Sequence, residues 1–141
     1  MPAPFVHLRV HSAYSLAEST LRLKSIVALA GSDSQPAVAI TDTNNMFGAL
    51  EFSEKMRESG VQPIIGLECI IADSRGRGEV VLLAQSEAGY EALCRHNSQA
   101  LLEVEGGDDP LIRLESLASD GEGLILLTGG ALQGFVGAAA A

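Results

Sequence analysis

Basic residues are in short supply in this sequence. Nine Lys and Arg face eighteen Asp and Glu, for a formal net charge of -9 and a pI near 4.6. Gripping a duplex takes clustered cations, so the chain is not expected to hold nucleic acid by itself. The one locally basic stretch, Arg75-Gly76-Arg77-Gly78, has the spacing of a hairpin tip. Only two cysteines are present, Cys69 and Cys94, with no CxxC spacing. That argues against a disulfide framework or a cysteine zinc site and fits free buried thiols in a reducing cytoplasm. No apolar run reaches the roughly 18 residues a membrane helix needs, and no basic-then-apolar leader opens the chain. Internal repeats are also missing.

What the sequence does have is apolar content. Hydrophobic residues make up 47% of the chain and the mean hydropathy is +0.23. A chain of 141 residues can bury one core.

Its order is regular. Leu23, Ile26, Val27 and Ala30 recur at helical spacing and predict a helix that ends in 31–35, with Pro36 opening the next strand. Ala49, Phe52 and Met56 predict a second helix, stopped by Gly60. Tyr90, Leu93, Cys94, Asn97 and Leu101 predict a third, and 114–119 a short fourth. Acidic, Gly-containing 103–109 reads as loop. Apolar runs predict strands at 5–10, 37–41, 63–71, 79–85 and 123–127. Ser15-Leu16-Ala17-Glu18 has capping-box spacing. Strands alternating with helices imply βα units and a mostly parallel sheet. Too few strands are present to close a barrel of the usual size, so residues 1–141 read as the first part of a longer domain.

The chemistry gathers near the start. In His7-Leu8-Arg9-Val10-His11, strand alternation puts Arg9 and His11 on one face. Two histidines there could grip one metal, but an arginine stays protonated and cannot ligate. In parallel α/β folds chemistry lies at the C-terminal ends of the strands. His11, Asp42 and Glu68 fall at or near the predicted ends of three successive strands. Glu68 stands inside an apolar run and needs a partner if ionised. Asp42 reads equally as the N-cap of a helix starting near Asn45. His7 reads as an ordinary strand histidine, His96 as solvated or capping, Tyr14 and Ser15 as turn residues, and Gly129-Gly130 as a tight turn.

Together these stretches resemble the PHP (polymerase and histidinol phosphatase) domain that opens the alpha subunit of bacterial DNA polymerase III. Residues 5–16 are similar to that family's first motif, and 39–52, from Ala39-Ile40-Thr41-Asp42 to Glu51-Phe52, to its second. Pro63-Ile64-Ile65-Gly66-Leu67-Glu68 resembles the third. Leu82-Leu83-Ala84-Gln85 and Gly89-Tyr90-Glu91-Ala92-Leu93 resemble the next strand and helix. The resemblance implies an α/β fold, the first part of a distorted (β/α)7 barrel with mostly parallel strands and outer helices.

Carried over by position, the family's metal-site residues become Arg9, His11, Glu18, Asp42, Thr43, Glu68 and Glu79. Arg9, Thr43 and Glu79 each stand where the resemblance implies an imidazole. Losing three imidazoles removes most nitrogen donors of a trinuclear site. The expectation is a degenerate site with no catalytic residue and no cofactor in this chain, Arg9 pairing with Glu18, Asp42, Glu68 or Glu79. The resemblance places polymerase chemistry, with its Mg2+, elsewhere in a longer parent. It implies docking to the remainder of the alpha subunit and to the proofreading exonuclease subunit, with self-association through unpaired barrel edges. The competing reading is a Zn- or Mn-dependent phosphoesterase or 3'-5' exonuclease.

Overall fold

Residues 5–140 are described by a computed structural model, in which the chain forms two compact units, Met1–Leu67 and Glu68–Ala141.

In the first unit the 3.6-residue period at Leu23, Ile26 and Ala30 makes α1 (Leu23–Ser32), with those three side chains buried. Gly31 lies inside the helix rather than ending it; the turn to the left-handed region comes at Ser34, φ 54°. β1 (Ala37–Ile40) follows, then α2 (Ala49–Glu58), which buries Phe52 and Met56 and ends before Gly60 at φ 76°. The first residues of β2 (Gln62–Asp73) pair in parallel with β1, Ala37 opposite Gln62 and Ile40 opposite Ile65. Leu23, Ile26, Val38, Ile40, Phe52 and Met56 form the centre of this unit's core.

The strand expected over 5–10 shrinks to one parallel bridge, His7 to Val38. Ala39 N donates to His7 O (2.8 Å) and Thr41 N to Val10 O (2.9 Å). Val10 N, however, donates to the Thr41 side chain, Oγ1 at 3.0 Å. A hydroxyl takes the donor that a further ladder bond would use, so the segment is extended without becoming a regular strand. Residues 15–18 form turns, with Ala17 at φ 65°, and no helix follows the capping-box pattern.

In the second unit β2 runs on to Asp73, and two residues connect it to β3 (Gly76–Ala84). So short a link can join only antiparallel neighbours. Asp73 holds the turn by accepting from Arg75 N and Arg75 Nε, both at 2.8 Å, so the tip lies two residues earlier than Arg-Gly-Arg-Gly suggested. α3 (Glu87–Glu103) starts at Ser86, whose Oγ accepts from Gly89 N at 3.2 Å. β4 (Leu111–Arg113) pairs in parallel with β2, Ile70 opposite Leu111. α4 (Leu114–Ser119) packs on β4. β5 (Leu124–Leu127) pairs with β3, Val81 opposite Leu127, and α5 (Phe135–Ala140) packs on β3.

The β3–β5 pair is antiparallel, not parallel as expected. The hairpin is the cause: it reverses β3 alone, while β4 and β5 keep the direction of β2. Three-residue β4 carries too short a pattern to be anticipated.

The buried face of α3 also differs from the predicted one. Gly89, Ala92, Leu93, His96 and Ala100 are buried, while Tyr90 and Leu101 are more than two-fifths exposed. Small side chains that hydropathy ranks low allow the close approach. No helix among the described residues is long and apolar enough to cross a membrane.

Candidate functional site

A buried polar cluster of the first unit is built where β1 ends. Asp42 is buried, only 1% exposed, and its carboxylate accepts three hydrogen bonds. Ser12 N and Ser15 Oγ donate to Oδ1, each at 2.6 Å, and Ser12 Oγ donates to Oδ2 at 2.7 Å. Both serines are buried. Ser15 Oγ accepts in turn from Thr43 N (3.1 Å), and Ser12 Oγ from Tyr14 N (3.2 Å). Asn45 adds a second tie, Nδ2 donating to Tyr14 O (3.0 Å) and Thr43 O (3.1 Å). Short charge-assisted bonds of this kind are among the stronger ones in proteins. They fasten the turn at 12–15 to the segment after β1.

Asp42 is thus not a helix cap: α2 begins at Ala49, and no side chain caps it. Ser15, expected as a turn residue, does stand in the turn at 12–15, and its buried hydroxyl also serves Asp42. Two serines three apart, facing a lone Asp at the end of an apolar strand, were the available sequence signal.

A second chain of contacts lies beside the first. Glu18 Oε2 accepts from Thr43 Oγ1 at 2.6 Å and stands 3.2 Å from His11 Nδ1. Ser19 Oγ donates to His11 O at 2.9 Å. The fold therefore brings His11, Glu18 and Thr43 together, with Asp42 joined to them through Ser15. Arg9, on the extended segment before them, is exposed.

In the second unit Glu68 is buried in the middle of β2, not at its end, because β2 continues five residues to serve β4 and the hairpin. Its neighbour Cys69 has a thiol pKa pushed up to about 12, by burial first and then by the charge of Glu68. That thiol is an inert core group. Cys94 is likewise free and half-buried. Glu79 sits half-buried on β3, where its N–H donates to Gln133 O at 2.9 Å. His96 was expected to be solvated or capping; it is buried, and its Nε2 lies 2.8 Å from the carbonyl oxygen of Asp120, the residue that ends α4, so the solvated role does not hold and the capping one does. Beside it Arg95 holds Asp120 by two contacts of 2.9 Å, which keep that carboxyl below its ordinary pKa. Gly129, at φ 77°, stands just before a turn over 130–134 that Gly134 N closes by donating to Gly130 O (2.8 Å).

The donor set fits a divalent cluster poorly. Both Asp42 oxygens are committed to Ser12 and Ser15, and Glu18 Oε2 to Thr43 and His11. Among the described residues no three His, Cys, Asp or Glu side chains are grouped so that they could hold a metal ion. What the cluster does well is fasten loops.

Comparison with known proteins gives this geometry its context. The chain is 41% identical over 134 residues to the DNA polymerase III subunit alpha of Caulobacter vibrioides, covering 89% of this chain and 12% of that protein. It is 34% identical over 142 residues to the same subunit of Pseudomonas fluorescens, covering 99% of this chain and again 12% of the relative. The chain thus spans about an eighth of the length of these curated relatives. Among solved structures, an amidohydrolase from Chromobacterium violaceum superposes with a TM-score of 0.56 at 21% identity, over 67% of this chain and 32% of that one. That likeness concerns the fold. The PHP domain model matches residues 7–141, a stretch that holds the Ser12–Asp42–Ser15 cluster, the His11–Glu18–Thr43 chain and the mixed sheet alike, and the chain belongs to the PHP domain family.

Proposed function

We propose that this chain is the N-terminal portion of the PHP domain of a replicative DNA polymerase III alpha subunit, acting there as a structural and protein-docking module. Nucleotidyl transfer, with its Mg2+, belongs to the rest of such a subunit. The observation that carries the reading is what occupies the family's imidazole positions. They hold Arg9, Thr43 and Glu79, and the Thr43 hydroxyl is spent on Glu18, which also engages His11. The polymerase relatives, matched over most of this chain, supply the parent.

In this reading Arg9 is a fixed cation at a site that keeps its carboxylates. Because Arg9 is exposed, a pair it makes belongs to the solvent-screened class worth about 1 kcal/mol or less. The 3–5 kcal/mol of a buried pair would be too much. The partners are the remainder of the alpha subunit and the proofreading exonuclease subunit. Leu16, Phe47 and Leu50 are each more than two-thirds exposed, as suits a domain that further chain covers.

Metal analysis tests the reading. After equilibration with Zn2+ or Mn2+ and dialysis, the chain is expected to carry far less than one ion and to leave phosphodiesters and DNA 3' ends intact. Stoichiometric metal, with hydrolysis abolished by Glu68→Ala, would overturn it in favour of a metal-dependent phosphoesterase.

A further inference from the structure

The second unit contains a groove, lined by aliphatic and charged side chains alike, that neither the polar cluster nor the sheet explains. Near the end of α3 Leu102 is 86% exposed, and after Glu103 the chain turns through 104–110 before entering β4. Between them lies a cavity of about 500 Å3, lined by Leu102, Val104 and Leu111 together with Glu105, Asp108 and Asp109. The three leucine and valine side chains are all exposed. The one arginine in the lining, Arg113, is committed to Glu103, with Nη2 3.3 Å from Oε2. Glu103 also accepts from Gln99 Nε2 at 2.8 Å. Among the described residues no ion pair includes Glu105, Asp108 or Asp109.

The surroundings carry the same sign. Twelve of the eighteen acidic residues, but only four of the nine basic ones, lie at or after Glu68. A phosphate backbone or an anionic lipid surface would be repelled by such a field, and a cationic ligand drawn to it. Aliphatic and uncompensated acidic side chains lining one groove select for a ligand that is both cationic and partly apolar.

From this groove we infer a docking site for a basic, amphipathic segment of a partner protein. Aliphatic side chains of that segment enter the cavity beside Leu102, Val104 and Leu111, and its Lys or Arg residues meet Glu105, Asp108 and Asp109. The apolar contacts supply most of the affinity and the charges set orientation and association rate. The inference deepens the docking role proposed above by giving the partner a chemistry.

The test uses the whole chain and a fluorescent helical peptide of Leu and Lys with its apolar residues on one face. Anisotropy should report binding that weakens at least tenfold when every Lys of the peptide becomes Glu. A similar loss is expected with the Asp108→Lys/Asp109→Lys variant, and a loss of several-fold with Leu102→Ser. All three altered residues are exposed, so the fold should survive, and amide chemical shifts should move within 99–113 only. Equal binding by the Glu peptide, indifference to the variants, or shifts centred elsewhere would overturn the inference. So would concentration-dependent dimerisation abolished by Leu102→Ser, which would assign the groove to a second copy. Metal retention would defeat the preceding reading and leave these results standing.

Discussion

Asp42→Ala should destabilise the chain by about 3 kcal/mol or more, because three donors lose a buried charged acceptor together. Ser12 N, Ser12 Oγ and Ser15 Oγ all point at this carboxylate, and both serines are buried. A water in the vacated place accepts from two of the three donors at most, and a buried donor without an acceptor carries its full desolvation cost. Asp42→Asn should fall between the unaltered chain and Asp42→Ala, since an amide offers one acceptor oxygen instead of two and adds donors where donors are already in excess. Ser15→Ala should cost less than Asp42→Ala, roughly 1–2 kcal/mol, because it removes a single donor to the carboxylate and the acceptor of Thr43 N. Urea unfolding of the three variants checks the order. If Asp42→Ala lost under about 1 kcal/mol, the cluster would not be what fastens 12–15 to the end of β1.

The second large effect concerns a residue of opposite character. In most exposed helix positions Gly→Ala is stabilising, by up to about 1 kcal/mol. Gly89, in the first turn of α3, should reverse that sign. A Cβ there would lie 2.0 Å from Gly123 O and 2.6 Å from Gly123 C, backbone atoms that cannot swing aside. Gly123 O is also held, accepting from Gln85 N at 2.8 Å. Gly89→Ala must therefore push α3 off the start of β5, for about 1–3 kcal/mol of overpacking. Gly31 in α1 provides the control, since a Cβ there meets nothing within 4 Å. Gly31→Ala is expected to be neutral or mildly stabilising, by at most about 1 kcal/mol. Thermal melts of both variants decide the matter, and a stabilised Gly89→Ala would show that the close approach imposes nothing.

These two residues also mark where sequence reasoning succeeds and where it stops. Elements with their own apolar period were legible: α1 from Leu23, Ile26 and Ala30, α2 from Phe52 and Met56, β1 and β5 from short apolar runs. Elements defined by a neighbour were not. β4 is three residues long and exists because β2 offers it an edge. The segment 7–10 looked like a strand by composition, but the Thr41 hydroxyl takes Val10 N, a contact between residues 31 apart in sequence. Hydropathy favours the wrong face of α3, since Tyr90 and Leu101 are the apolar types suited to burial, yet Gly89 and Ala92 are the residues that pack closely.

At the candidate site the residue types were readable and their partners were not. His11, Glu18, Asp42 and Thr43 could be picked out by position in a motif. That Asp42 serves Ser12 and Ser15, and that Thr43 rather than an imidazole meets Glu18, are facts of three-dimensional arrangement. The sequence puts Glu68 near the end of a strand over 63–71, whereas β2 runs on to Asp73 and leaves it mid-strand.

The two-residue link between β2 and β3 also bears on the order in which the molecule assembles. Closing that turn fixes very little chain, whereas setting β4 beside β2 or β5 beside β3 means closing loops of about forty residues or more. Loop-closure entropy falls due before such distant pairings return any stabilisation. The hairpin is therefore expected to be the earliest sheet structure, a template on which the later strands condense. Pulse-labelled hydrogen exchange during refolding should find amides on both sides of Ser74-Arg75 protected first and those of β4 last. Simultaneous protection would instead point to one collective nucleus. Sequential protection would make 70–80 a transiently exposed, edge-rich surface, the stretch of this chain most in need of shielding while the remainder is still finding its place.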